Sequence, residues 1–228
     1  MTYSAGIGYG VRIEEAGPEG ARPVFTGRRD IPTSKVLTKS GLHVVCEHNV
    51  ERDFVTVIDF DHRVRRIRSQ PHTISFVWAG ERIRYTPDFA LETEDGEVIV
   101  EVKTRAEFRA KSRLQHRLQL VKKVYDHLGK RFIIAFDDVI RMEPRFSNIK
   151  ELRRYRSLQV PLSDRQIILA HLHNVGSDTL LRCAGLVKDG PSTIRALAAQ
   201  QYLILDLGLV IGDHTICCAA DTRQEGSL

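Results

Sequence analysis

Hydrophobic and polar positions change their period several times between residues 47 and 136. Over residues 47–60, Glu47, Glu51, Phe54, Val55 and Ile58 share one side of a 3.6-residue repeat, which predicts a helix with two acids along its buried edge. The segment HTISFVWAGERIRYT follows, broken at Ala79-Gly80. After it comes RYTPDFALETEDGEVIVEVKTR, residues 84–105, and the two segments together predict consecutive antiparallel strands. Leu114, Leu118, Val121, Tyr125 and Leu128 then recur at helical spacing, with Arg109, Arg113 and Arg117 on another face. GKRFIIAF, residues 129–136, reads as a short apolar strand that closes a strand-helix-strand unit of the α/β kind.

Outside this region the signals differ. Residues 1–40 are rich in Gly and Pro without sustained periodicity, and residues 1–24 are expected to form a mobile arm. GIGYG, residues 6–10, has no strand before it and no clear helix after it, so it is not read as a nucleotide loop. Towards the C-terminus, PLSDRQIILAHLHN, SDTLLRCAGL and PSTIRALAAQQ predict three helical stretches with polar caps. YLILDLGLVIGDHTICCA follows as two strands around a Gly-Asp turn, which is a winged-helix order. The expected organisation is the arm, a mixed sheet flanked by helices over residues 25–157, and a small winged-helix-like domain over residues 158–228.

The pairing geometry of the 84–105 segment brings its charged residues together. If Asp95-Gly96 forms the two-residue turn, Asp88 faces Lys103 and Ala90 faces Glu101. Alternation then points Asp88, Glu101 and Lys103 to one face and Phe89, Leu91, Val98, Val100 and Val102 to the other. A one-residue slip would scatter the trio. Two neighbouring carboxylates repel, and a hard, oxygen-preferring cation such as Mg²⁺ relieves that repulsion. Such a cation also acidifies water for attack on a phosphodiester. Lys103 would then orient or deprotonate the water, or stabilise the pentavalent state. The alternative reading is a cross-strand Asp-Lys salt bridge with no chemistry.

Charge adds a direction. Residues 157–228 hold five Lys/Arg and seven Asp/Glu, net −2, so with +5 overall the preceding residues carry +7. The excess is densest from residue 103 to 131, where ten basic residues face only Glu107 and Asp126. A face of this kind suits a polyanion, because phosphate contacts release condensed counterions; a solvated basic helix face would read the same way. Four cysteines, Cys46, Cys183, Cys217 and Cys218, lack metal or disulfide spacing and are read as reduced, mostly buried residues. His171 and His173 fall on different faces of their helix and are not expected to bind metal. No apolar run is long enough to cross a bilayer, so a cytoplasmic location is expected.

Pro87-Asp88 followed by Glu101-x-Lys103 at the end of an apolar strand resembles the PD-(D/E)xK nuclease superfamily. VERDFVTVIDFDHRVRRIRSQP, residues 50–71, together with the 84–105 segment and IIAFDDVI, is similar to the endonuclease domain of the TnsA family. NIKELRRYR, residues 148–156, is similar to the segment that ends that domain, and the C-terminal run more loosely to the family's winged-helix domain. The resemblance implies a restriction-endonuclease-like α/β fold and a Mg²⁺-dependent DNA endonuclease, with Mn²⁺ substituting. It implies Asp88, Glu101 and the Val102 carbonyl as metal ligands, and Lys103 as the water-handling residue. Glu51 would be the helix glutamate that completes the site, with Glu47 its rival. The role of Gln70, within RSQP, and any contact of His48 with substrate are left open.

By the same resemblance the enzyme would hydrolyse the non-transferred strand at the 5′ ends of a transposon, beside a DDE transposase subunit. An AAA+ ATPase regulator would dock on the C-terminal domain, and the setting would be bacterial and nucleoid-associated. Arg105, Arg109, Arg113 and Arg117 are expected to follow the DNA backbone. The alternatives are a stand-alone restriction or repair nuclease, and a non-catalytic adaptor on DNA.

Overall fold

The computed structural model describes residues 10–17 and 34–220, and the chain divides into two compact units, Met1–Ile140 and Arg141–Leu228. The first unit carries the strands β1 (Arg12–Glu15), β2 (Ser34–Leu37) and β3 (His43–Cys46), followed by helix α1 (Asn49–Ile58). Strands β4 (Val64–Ser69), β5 (His72–Trp78), β6 (Glu81–Tyr85), β7 (Phe89–Thr93) and β8 (Gly96–Lys103) come next. Helices α2 (Arg105–Ala110) and α3 (Ser112–His127), strand β9 (Arg131–Phe136) and the single turn α4 (Asp137–Ile140) complete it.

The central sheet has the order β4-β7-β8-β9, antiparallel except for the parallel β8-β9 pair that the α2-α3 crossover connects. A second sheet, β1-β5-β6, is separate from it. Strands β5 and β6 form the expected hairpin, with Ala79 at φ +49° and Gly80 at φ +81°, the pair of positive φ values that a tight hairpin turn needs. The four strands of residues 72–103 are therefore two hairpins in two sheets rather than one run. Thr86-Pro87-Asp88 separates them, and proline has no amide to donate to a ladder.

One face of the central sheet receives α1, where the Phe54 and Phe89 rings stack at 5.4 Å. The other face is covered by α3 and the second sheet. Ala90 and Ile99 meet Ile74, Phe76, Leu118, Val121, Val124 and Tyr125 there in one buried cluster. Each fully buried large apolar side chain contributes roughly 1.5–3 kcal/mol, so this cluster holds the layers together. The face that carries the charged trio is thus core for most of its length and opens only at its end.

Several expectations change. Phe89 pairs with Val100 and Thr93 with Gly96, so the turn residues are Glu94-Asp95 and the register is shifted by two residues from the one expected. Ala90 faces Ile99, not Glu101. A two-residue shift preserves the side on which each residue lies, so the trio stays together. The helix after β8 is broken at Lys111, because the Gln115 side-chain amide donates to the carbonyls of Phe108 and Arg109 (2.7 and 3.3 Å) and ends α2. Arg109 consequently lies on a different helix from Arg113 and Arg117. Part of the stretch read as a mobile arm is strand β1, paired with β5; GIGYG lies outside the described residues except for Gly10.

The second unit contains α5 (Arg145–Arg153), α6 (Leu162–Val175), β10 (Asp178–Thr179), α7 (Leu180–Ala184), α8 (Gly190–Ala199), β11 (Leu203–Leu205) and β12 (Ile216–Ala219). Its sheet has the order β10-β12-β11. The sequence reading placed the boundary after residue 157, whereas α5 and NIKELRRYR lie in the second unit. Asn148 on α5 donates to the carbonyls of Leu207 and Leu209, and Gln200 donates to those of Arg156 and Leu158. All four cysteines are free thiols, three of them buried. His171 pairs with Asp178 at 2.9 Å. Among the described residues no helix is long and apolar enough to cross a membrane.

Candidate active site

The site forms where β6 ends, β7 begins and β8 ends. Pro87 leaves Asp88 just ahead of β7, where its Oδ2 accepts from the Val102 amide at 2.8 Å. Glu101 and Lys103 stand two apart on β8 and share a face with Asp88. The Lys103 ammonium lies 2.7 Å from Glu101 Oε1, 3.0 Å from the Val102 carbonyl and 3.6 Å from Asp88 Oδ2. The oxygens expected to hold a metal thus converge on one cation, and here that cation is Lys103.

The cluster is well shielded: Asp88, Glu101 and Lys103 side chains are 16%, 7% and 20% exposed. Burial, and then the Glu101 charge, push the Asp88 carboxyl up against the opposing pull of Lys103. Burial alone would lower the Lys103 pKa, but Asp88 and Glu101 outweigh it and hold the group as an ammonium. Lys103 is therefore a donor in this arrangement. Two carboxylates against one ammonium leave the cluster short of positive charge. That shortage and the converging oxygens fit a hard divalent ion, which binds through one or two carboxylates and keeps water in its remaining positions. Among the described residues, no group of three His, Cys, Asp or Glu side chains forms a metal cage by itself.

Glu47, His48 and Glu51 line the same cavity as Asp88, Glu101 and Lys103. Glu51 is at the first turn of α1, 7% exposed; its Oε2 accepts from the Glu47 amide at 2.7 Å and its Oε1 lies 2.9 Å from His48 Nδ1. Its charge is also among those that raise Asp88. Glu47 precedes the helix rather than lying one turn earlier within it, and Gln70 Nε2 donates to its Oε1 at 2.8 Å. The Gln70 amide donates to the Asp88 carbonyl at 2.8 Å, from a left-handed backbone with φ +44°. Gln70 thus ties the β4-β5 turn to both Glu47 and Asp88.

Sequence reasoning missed Tyr85. Its hydroxyl donates to Glu101 Oε2, and burial followed by the Glu101 charge keep it protonated. It lies inside the RYTPD segment, but nothing in linear spacing relates position 85 to position 101. Arg84 and Arg117 also line the cavity, and the Arg117 guanidinium donates to the Arg84 carbonyl at 2.6 Å. Arg105 is engaged locally: Asp138 accepts from it at 2.9 and 3.1 Å, and it stacks 3.6 Å over the Phe136 ring. Arg109 and Arg113 are exposed.

A mixed sheet with two carboxylates and a lysine at its strand ends is compatible with a nuclease-like fold. Residues 61–137 match the family described as TnsA-like endonuclease N terminal, so that stretch is similar to a TnsA-like endonuclease domain. The match contains Asp88, Glu101 and Lys103 and begins after Glu47 and Glu51. No curated protein matches the chain.

Proposed function

We infer that the protein is the Mg²⁺-dependent endonuclease subunit of a heteromeric transposase, hydrolysing the non-transferred strand at the 5′ ends of a transposon. The observation that carries this is the convergence of Asp88, Glu101 and the Val102 carbonyl on one cation position, within the stretch that matches the TnsA-like endonuclease domain. Bound Mg²⁺, or Mn²⁺, supplies a hard Lewis acid that makes water a better nucleophile and takes up charge on the phosphate. Asp88 and Glu101 hold it, with Val102 contributing its carbonyl. Tyr85 fixes the orientation of Glu101, and Glu51 adds a third carboxylate at the cavity wall. With those oxygens engaged by a metal, Lys103 would donate from its ammonium to the water or to a non-bridging phosphate oxygen. Arg113 and Arg117 meet the flanking backbone.

The partners are a DDE transposase and, through the second unit, an AAA+ ATPase. The order helix-strand-helix-helix-strand-strand from α6 to β12 supports a winged-helix reading of that unit. Within it, residues 157–228 carry five Lys/Arg and seven Asp/Glu, net −2, which favours docking on protein over a grip on phosphate through that part. The test is strand-specific nicking of labelled transposon-end DNA in Mg²⁺, with the transposase supplied or omitted, using wild type and Asp88→Ala. Cutting of the 5′ strand that needs the partner and vanishes in the variant is expected. Partner-independent cutting would identify a stand-alone nuclease, and equal behaviour of wild type and variant would leave a non-catalytic adaptor.

A further inference from the structure

A second cavity opens between the β5-β6 hairpin and α3, and it shares Arg84 and Arg117 with the catalytic one. Trp78, Ile83 and Leu120 line it, each half-buried or buried, while Arg82, Arg113 and Arg117 are exposed around them. The result is an apolar floor under a rim of guanidinium groups. Arg84 is engaged by Glu14 at 2.9 Å, and Glu81 is the single acid among the lining side chains. Among the described residues neither Arg82 nor Arg113 has an ion-pair partner, and both line this second cavity. Guanidinium groups without a carboxylate partner on the rim of one cavity suit a chain of phosphates.

The geometry points to this groove as a binding track for an unpaired DNA strand leading to the scissile phosphate. Phosphates would lie on Arg82, Arg113 and Arg117, and a base would stack on Trp78. The combination of a basic rim with an aromatic floor is what distinguishes a single-strand track from a duplex grip, since paired bases have no free faces to stack. Arg84 and Arg117 line both this groove and the catalytic cavity, so a strand held here would lead to the strand to be cut. This rests on the nuclease reading above.

Trp78 is the only tryptophan in the chain, so its fluorescence reports on the groove alone. The experiment titrates the full chain at low salt with an oligothymidylate of roughly 12 nucleotides, within the site sizes of single-strand binders. Saturable quenching is expected, with little quenching by a duplex of equal length. Arg82→Gln with Arg113→Gln should weaken binding about tenfold and lower the salt slope by about 1.4, the loss of two phosphate contacts on a single strand. Trp78→Ala, read by anisotropy of a labelled oligonucleotide, should weaken it on the order of tenfold. Absence of quenching, equal quenching by duplex, or unchanged binding in the double variant would each overturn the track. Quenching without Mg²⁺-dependent cleavage by the chain and its transposase would instead overturn the nuclease reading and leave the track standing, and cleavage without quenching would do the reverse.

Discussion

The Lys103 ammonium rests 2.7 Å from Glu101 Oε1, and from the same position it reaches the other oxygens expected to hold a divalent ion. Lys103 therefore offsets part of the negative charge of the cluster in the resting protein and competes with any second cation for it. The two charges cannot share these oxygens, because like charges at that separation in a shielded site repel by several kcal/mol.

Replacement of Lys103 by Met removes the competitor. Mn²⁺ binding, followed by electron paramagnetic resonance, is expected to tighten about tenfold in Lys103→Met, while nicking falls on the order of 10³-fold, or ~4 kcal/mol of transition-state stabilisation. Without metal the variant should lose about 2 kcal/mol of stability, since two carboxylates lose their counter-ion; the measured value is reduced by partial exposure. Unchanged or weaker Mn²⁺ binding would show that Lys103 does not occupy the metal position.

Glu51 and Glu47 border the same cavity but differ in their surroundings. Glu51 is buried and its charge acts on Asp88, whereas Gln70 holds Glu47. Glu51→Gln is expected to lower nicking by about 10²-fold and Glu47→Gln by less than about tenfold, measured as single-turnover rates. The reverse order would make Glu47 the third carboxylate.

Gln70 combines a strained backbone with two placement contacts. Gln70→Ala keeps the strain and loses the bond to Glu47, at a cost of about 1–2 kcal/mol by thermal denaturation. Gln70→Gly loses the same bond but relieves the backbone, so its stability should lie closer to wild type. If nicking falls equally in both variants, the side chain acts by positioning. If activity follows stability alone, Gln70 is only structural.

His72 is 1% exposed and shares a 2.8 Å hydrogen bond with the Tyr125 hydroxyl. Burial lowers its pKa in the folded chain. An unfolded chain, with an ordinary histidine pKa near ~6.5, takes up a proton that the folded chain refuses. Stability is then fully present above about pH 6.5 and falls as pH drops towards the folded value, by at most ~1.4 kcal/mol per pH unit. Denaturant titrations from pH 7.5 to 5 should show this slope in wild type and a shallower one in His72→Gln. An identical slope would assign the acid sensitivity to other groups.

The sequence by itself carried most of the elements and the grouping of the charged trio. Period-two alternation put Asp88, Glu101 and Lys103 on one face, and that outcome survived a two-residue error in register because parity depends only on odd or even displacement. Helical spacing marked α1 and the buried side of α3, and the motif order marked the TnsA-like stretch. Tertiary structure decided what linear spacing cannot encode. It separated two adjacent hairpins into two sheets at Pro87, ended α2 through Gln115 and moved α5 into the second unit. It also brought Tyr85 to Glu101 and Gln70 to Glu47. Each of these is a contact between residues distant in the chain or a choice among competing hydrogen-bond partners. Such choices are settled by which buried polar groups must be satisfied once the layers pack, and local propensity holds no record of them.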